Sequence, residues 1–326
     1  MEASIAAIPE KTTGRLGAGK TSGNSRESKA GERLNAKRVL RALRPYAAIA
    51  PSIVILAVFW IYPIFEMGGL SLCEWNLVNP ERVFVGLQNY VTLFQDVQFR
   101  QTLVSTLIYM VFTVGLSVSF GMLCALHLKR ASRRNRFLQA VIFSPYVISL
   151  ASISLLWLWI MNRDYGLLNQ ILSVFGVSPV DWLGDSRVAL ASLIAISVWK
   201  SVGYDALILT SALQSVPENL YEAAELDHAK PWATFWKITL PIVSPTLFFL
   251  VIVEVISSLK VFETIQIMTQ GGPQNATNTI VFSLYQYAFK FYKVGYAAAI
   301  GMVPLVLVAI FAVVYFKVLE KRVHYR

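Results

Sequence analysis

The side chains with the most chemical potential are few, and they stand in apolar surroundings. Lys200, Asp205 and Glu254 are ionisable, yet each lies inside a long hydrophobic run. A charge near the centre of a bilayer costs at least about 2.5 kcal/mol on insertion scales, so each needs a reason to be there. Two readings are open. Lys200 and Glu254 fall at similar depth on neighbouring antiparallel spans and could form an ion pair within a bundle, or snorkel. Alternatively, these groups line a water-filled cavity together with Trp199, Tyr204, Ser257 and Ser258. Lys200, Asp205 and Glu254 would also serve as the proton relay of an ion-coupled secondary transporter.

Phosphate chemistry is suggested by Gly14-Arg-Leu-Gly-Ala-Gly19-Lys20-Thr21, which fits the P-loop pattern. That pattern works only where a strand precedes the loop and a helix follows it, aiming backbone N–H groups at phosphates. Here no strand precedes and Ser, Gly and Asn follow, so a nucleotide site on Lys20 is rejected. The three histidines (His127, His228, His324) are scattered, and Cys73 and Cys124 are too few for a disulfide framework or metal cluster. No nucleophile–base pair stands out. The chain reads as a non-enzyme with no metal or cofactor of its own.

The elements that must hold these residues follow from composition. Of 326 residues 56% are hydrophobic and 15% charged, against about 25% charged in soluble domains. Mean hydropathy is +0.55. That is too little charge to clothe a soluble surface, so the bilayer is the solvent for most of the chain. Six blocks reach the roughly 20 residues needed to span: 46–71, 102–128, 137–161, 188–213, 238–261 and 296–316. Backbone groups in hydrocarbon must satisfy one another, so these are helices, and Pro51, Pro63, Pro145, Pro241, Pro245 and Pro304 should kink them rather than end them. The resulting fold class is an all-α membrane protein with six transmembrane helices, residues 46–326, after a disordered basic tail, residues 1–45, that closes in a short helix over 34–44.

The net charge of +10 fits membrane topology better than nucleic-acid binding, because the basic residues flank the spans. With the N-terminus inside, and Lys200 counted with the loop that follows its span, 22 of the 29 Lys/Arg fall on the cytoplasmic side and 7 outside. The positive-inside rule then puts both termini in the cytoplasm, as an even number of spans requires.

One inside loop, 214–237, is acidic, with Glu218, Glu222, Glu225 and Asp227 against Lys230 and Lys237. Ser215 and Glu218 have capping-box spacing, Pro217 suits a first turn, and Pro231 stops the helix near Asp227. A second helix can start at Pro231. The pattern is a helical hairpin with a slim Ala223-Ala224 face, which admits close approach of another backbone, beside carboxylates suited to a basic partner. A merely solvated amphipathic hairpin has the same pattern.

Glu222-Ala223-Ala224, Asp227, Ile238 and Leu240-Pro241 resemble the EAA loop of permease subunits of binding-protein-dependent ABC importers. Gly86-Leu-Gln-Asn-Tyr90 with Phe94, Asp96 and Phe99, then Gly271-Gly272-Pro273 and Gly295-Tyr296-Ala297-Ala298, resemble the sugar branch of that family: maltose, oligosaccharide and glycerol-phosphate types. The resemblance runs from about Pro51 to Phe316. It implies the ABC importer permease fold, with Glu222, Ala223, Ala224 and Asp227 facing a cytoplasmic ATPase as a coupling helix. His228 stands where the family usually has Gly; a turn needing positive φ suits Gly and is less favourable for His.

The implied partners are a second homologous permease, an ABC ATPase dimer that binds the ATP and Mg, a soluble solute-binding protein outside, a sugar, and membrane lipid, in a bacterial inner membrane. The resemblance also implies a mid-membrane sugar site on the spans flanking the loop. Trp199 and Tyr204 offer rings for the flat C–H faces of a sugar, Lys200, Glu254, Ser257 and Ser258 offer polar neighbours, and Lys200 suggests an acidic sugar or a sugar phosphate.

Overall fold

The computed structural model describes Tyr46 and residues 48–322, apart from positions 77, 79, 80 and 131. The basic tail, the expected helix over 34–44 and the P-loop-like segment lie outside the described residues. The chain divides into two compact units, Met1–Ile64 and Phe65–Arg326. In the first, residues 48–64 are helical and widen into a π-turn at Ala57–Ile61. The widening precedes Pro63, which cannot donate to the turn before it and whose ring crowds that turn. The helix as a whole, α1, is Ala48–Ser71.

The second unit carries the remaining elements in the order α2 (Gln88–Gln95), α3 (Val97–Leu128), α4 (Arg133–Val147), α5 (Leu150–Ile160), α6 (Leu167–Val174), α7 (Ala189–Gln214), α8 (Glu218–Leu226), α9 (Pro231–Thr234), α10 (Leu240–Leu259), α11 (Glu263–Met268), α12 (Ile280–Tyr285) and α13 (Val294–Arg322). A two-stranded antiparallel ribbon, β1 (Cys73–Glu74) with β2 (Val83–Phe84), follows α1. Among the described residues five helices are long and apolar enough to cross a membrane, and α4 with α5 makes a sixth crossing if the bent pair counts as one. The expected spans coincide with helices to within a few residues, with two exceptions.

The expected single span over 137–161 is broken: α4 and α5 meet at 96°. Pro145 stands in the last turn of α4, and the Ser144 hydroxyl donates to the Val141 carbonyl that Pro145 cannot reach, 2.9 Å away. Ser149 then restarts the chain as the N-cap of α5. Pro145 therefore accompanies a break, not a kink. The span expected over 238–261 starts earlier, at Pro231, and passes through a π-turn at Phe235–Thr239 ahead of Pro241.

Small and hydroxyl side chains line the buried face of α3, with Thr102, Ser105, Thr106, Thr113, Ser117 and Gly121 all turned inward. Membrane helices associate by close packing, since hydrocarbon offers no hydrophobic drive. A Cβ on Gly121 would collide with the Asp205 Cβ of α7, and a Cβ on Gly203 would collide with the Ile142 carbonyl oxygen of α4. These two glycines let α7 press against α3 on one side and α4 on the other. The packed interior is apolar beside this seam: Met122, Ala125, Leu209, Leu213, Val243 and Leu250 form one cluster towards α8, and Ile153, Leu193, Ile196, Ile265 and Phe282 belong to another at the far end. Large apolar side chains such as Phe112, Phe120, Leu123, Phe249 and Phe316 remain exposed, as suits a chain solvated by lipid or by another membrane subunit.

The motif residues near the β-ribbon act as fasteners. Asn89 donates to the Ser71 and Cys73 carbonyls, both at 2.9 Å, and the Tyr90 hydroxyl donates to Ser71 Oγ at 2.7 Å. Asp96 caps α3 by accepting from the Gln98 N–H at 2.8 Å, and takes a further bond from the Tyr296 hydroxyl at 3.2 Å.

Candidate functional site

Two regions gather the residues singled out by sequence. The first is a cavity of about 370 Å³ between α3, α7, α10 and the break after α4. Residues one helical turn apart lie on the same face, so Ser197 and Ser201 of α7, with Asp205 next along, form a ladder facing α3 and α10. The first two line the cavity along with Lys200, Tyr109, Thr113, Tyr146, Glu254, Ser257 and Ser258. Lys260 and Glu263, exposed and of opposite sign, stand at the end of α10 and the start of α11.

Lys200 and Glu254 thus share a cavity, but no ion pair joins them; among the described residues no cation lies within ion-pair distance of Glu254. Lys200 has a different set of partners. Its ammonium donates to the carbonyls of Pro145, Tyr146 and Ile148 at 3.2, 2.9 and 2.7 Å. These oxygens are left open where α4 stops, because a helix C-terminus has no intrahelical donors for its last carbonyls. An ammonium has three N–H groups, and all three are engaged. Its charge also lies 5.5 Å from the Tyr146 ring centre.

Glu254 is 4% exposed, with Ser201 beside it. Asp205 is fully buried, with Ser117 across the α3 interface, and neither carboxylate oxygen has a hydrogen-bond partner. The hydroxyls of Thr113 and Thr210 are unpartnered as well. The Tyr109 hydroxyl is bonded to Ser197 Oγ.

The aromatic pair from the sequence reading is split. Trp199 is turned away from the cavity into a separate apolar groove with Phe112, Phe120, Cys124 and Val202, and meets Trp157 edge to face at 5.5 Å. Tyr204 stacks on Tyr146 at 4.6 Å and 14°, behind the cavity wall. The rings that line the cavity are Tyr109, Tyr146 and Phe262; none carried a sequence signal, because they arrive from other elements. Ser197 and Ser201 did carry one, in their spacing with Asp205.

The second region is the acidic hairpin. Helix α8 begins at Glu218 with Pro217 as N-cap and no side-chain cap. The expected capping box does not form, because the Ser215 hydroxyl turns back to donate to the Ala212 carbonyl at 2.7 Å. The other end closes in a Schellman turn: the Ala229 N–H reaches the Ala224 carbonyl at 2.9 Å and the His228 N–H the Glu225 carbonyl at 3.0 Å. His228 sits at φ 52°, the left-handed conformation anticipated where the related loops carry Gly.

The inner face of α8 is Tyr221 and Ala224. Tyr221 shares a hydrogen bond with Thr239 at 3.1 Å and lies under the Lys129 ammonium at 4.9 Å, and Ala224 is 8% exposed. Glu222, Ala223, Glu225, Leu226, Asp227 and His228 are exposed. Of the residues expected to face a partner, Ala224 therefore turns inward and the others outward.

Comparison with known proteins places this geometry. Residues 117–325 match the family described as binding-protein-dependent transport system inner membrane component. The chain is 34% identical over 273 residues to the trehalose/maltose transport system permease protein MalF of Thermococcus litoralis, covering 84% of this chain and 92% of that one. It is 33% identical over 285 residues to the sn-glycerol-3-phosphate transport system permease protein UgpA of Shigella flexneri, covering 86% and 96%. In fold it is similar to a chain of a bacterial alginate ABC transporter, crystallised in complex with an alginate pentasaccharide-bound periplasmic protein, with a TM-score of 0.76 at 23% identity over 87% of this chain and 96% of that one. The family match covers more than half of the chain, from within α3 through the acidic hairpin to α13, and the chain belongs to the inner-membrane permease components of binding-protein-dependent transport systems.

Proposed function

We propose that this chain is the membrane-crossing subunit of an ATP-driven importer of a sugar in the bacterial inner membrane, with both termini in the cytoplasm and α8 as the handle through which a separate ATPase moves it. A second, homologous permease completes the pathway, two ATPase copies hold the ATP and Mg below, and a soluble binding protein delivers the sugar from outside. This subunit breaks no bond. Its work is to present a polar cavity first to one side of the membrane and then to the other. Sugar cargo is supported by the names of the relatives, two of them sugar or glycerol-phosphate permeases, and by a cavity lined with hydroxyls, carboxylates and two tyrosine rings.

The observation that carries the coupling role is the outer face of α8. A nine-residue helix is fixed at its base by Tyr221 and Ala224 and closed by a Schellman turn, while Glu222, Glu225 and Asp227 have no ion-pair partner among the described residues. A rigid, slim, acidic ledge suits a cleft with basic walls. Reversing one charge there tests it. Glu222→Lys should leave the subunit folded and membrane-bound, but uptake by the reconstituted importer should fall by tenfold or more while ATP hydrolysis continues, as expected when one charged pair at an interface is broken. Normal uptake by that variant, with no change in ATPase retention on copurification, would remove the handle from α8.

A further inference from the structure

A dense block of positive charge stands where α3 gives way to α4, away from the cavity and the acidic hairpin. Lys129, Arg130, Arg133, Arg134 and Arg136 fall within eight residues, and no Asp or Glu occurs between Asp96 and Asp164. The four arginines are exposed, and none of the five cations has an ion-pair partner among the described residues, the carboxylates of α8 included. Three of the arginines occupy the first turn of α4, where the helix dipole repels cations, so the helix does not account for them. The connection that carries them is nonetheless firmly held. The carbonyls of Leu128, Lys129 and Arg130 accept from Gln139, Gln214 and Asn135 at 3.2, 3.0 and 2.9 Å.

An apolar groove of about 1120 Å³ runs between α3, α4 and α7, with Phe112, Phe120, Cys124, Val141, Leu190 and Val198 in its lining. Phe112, Phe120 and Val141 are exposed, so the groove opens to the surface. Its end nearest the cations is marked by Cys124 and Val141. Along the helices, Lys129 lies about 7.5 Å beyond Cys124 and Arg134 about 10 Å beyond Val141. From Cys124 back to Ile108, also in the lining, is about 24 Å, more than half of a roughly 30 Å hydrocarbon core. The headgroup layer outside that core is about 5–8 Å deep on each side, within reach of arginine side chains so placed.

We propose that this is the seat of an anionic phospholipid, in the cytoplasmic leaflet on the topology proposed above, with its phosphate among the arginines and one acyl chain in the groove. The positive-inside rule asks for cations in this loop, but not for a groove leading away from them. Clusters of four to eight Lys/Arg at the cytoplasmic end of a span attract anionic lipid, and here shape is added to charge. A helix of the second permease would fill the groove and leave the cations unmatched. An acidic protein surface would match the cations and leave the groove open. A lipid does both, whatever solute the cavity carries.

The importer complex, reconstituted with equal phosphatidylglycerol and phosphatidylcholine of identical chains, is released into detergent and weighed by native mass spectrometry. Phosphatidylglycerol should be retained over phosphatidylcholine by about tenfold or more. The triple variant Arg133→Gln, Arg134→Gln, Arg136→Gln should lose that preference, since each cation near an anionic surface contributes about fivefold. Val141→Trp fills the groove, keeps all five cations and should also lower retention. A phosphatidylglycerol with a photoreactive group in its acyl chain should label wild-type α3 or α7 within 108–124 or 190–202, a readout that needs no variant to fold. Equal retention of both lipids, or a preference that the triple variant keeps, overturns the headgroup site. A preference that Val141→Trp leaves intact and inorganic phosphate abolishes reduces the patch to surface charge and overturns the seat. A cross-linker at Val141 or Arg134 that captures the second permease or the ATPase while the acyl probe labels neither segment gives the surface to that subunit and overturns the proposal.

Discussion

Replacing Lys200 by Met asks whether that lysine is a fastener or a ligand group. Three charge-assisted hydrogen bonds disappear together, with acceptors at 2.7, 2.9 and 3.2 Å. Bonds to charged groups are worth about 1.5–3 kcal/mol each, and the 3.2 Å bond belongs at the weak end. Against this, Met spares the span a charge that costs about 2.5–3.5 kcal/mol on insertion scales. The net loss expected is about 1–5 kcal/mol, since three carbonyls at the 96° break lose their donor together.

For a chain of this size roughly 2 °C is lost per kcal/mol, so thermal unfolding of the purified permease pair should shift down by about 2–10 °C. Limited proteolysis should cut first between α4 and α5, the segment the lysine secures. Sugar binding by the folded fraction should persist, because the three N–H groups of the lysine are taken up by the break and not by a ligand. A Lys200→Met protein as stable as the parent that has lost sugar binding would refute this reasoning and return Lys200 to the ligand.

Two further substitutions probe the seam and the hairpin. Asp205→Asn removes a buried carboxylate with no hydrogen-bond partner on either oxygen and should leave the fold at least as stable, with any gain bounded by the roughly 2.5–3.5 kcal/mol cost of a charge in a span; a loss of several degrees in thermal unfolding would reveal a partner for it. His228→Gly relieves a left-handed residue at φ 52° and should stabilise the hairpin by up to about 1 kcal/mol, read as slower amide exchange at Asp227, His228 and Ala229; faster exchange there would show that the imidazole holds the turn.

What was legible in the sequence depended on which force decides the outcome. Span positions follow from apolar length alone, so α3, α7, α10 and α13 lie where composition puts them. The αL turn at His228 was legible only through the resemblance, since the related loops usually carry Gly there, the residue that tolerates positive φ. The break after α4 was not. Proline within a span ordinarily kinks it, since neighbouring groups satisfy the freed backbone, and here the group that satisfies the opened carbonyls is a lysine more than fifty residues away. The separation of Trp199 from Lys200 has a simpler origin. A helix turns about 100° per residue, so sequence neighbours face different surroundings, and Trp199 looks into an apolar groove while Lys200 looks at the break. The same periodicity marks Ser197, Ser201 and Asp205 as one stripe. Tyr109 and Tyr146 needed the tertiary structure, because only packing brings α3 and the end of α4 to the same space.

The two regions are mechanically adjacent through the chain itself. Helix α7 carries Ser197, Lys200, Ser201 and Asp205, and α8 begins four residues after it ends; α10, which carries Glu254, Ser257 and Ser258, follows the same hairpin on the other side. Tyr221 ties α8 to Thr239 just before α10, and Gln214 at the end of α7 donates to the Lys129 carbonyl that follows α3, at 3.0 Å. On the proposed coupling, a push on α8 would reach both polar walls of the cavity across two short turns, with no long loop to absorb it. The close approaches at Gly121 and Gly203, where any added methyl would strike the facing helix, leave α7 little freedom to move without α3 and α4. On the coupling proposed above, the motion expected is a joint tilt of α3, α4 and α7 against α10, which would open or close the seam in which Glu254 and the hydroxyls lie.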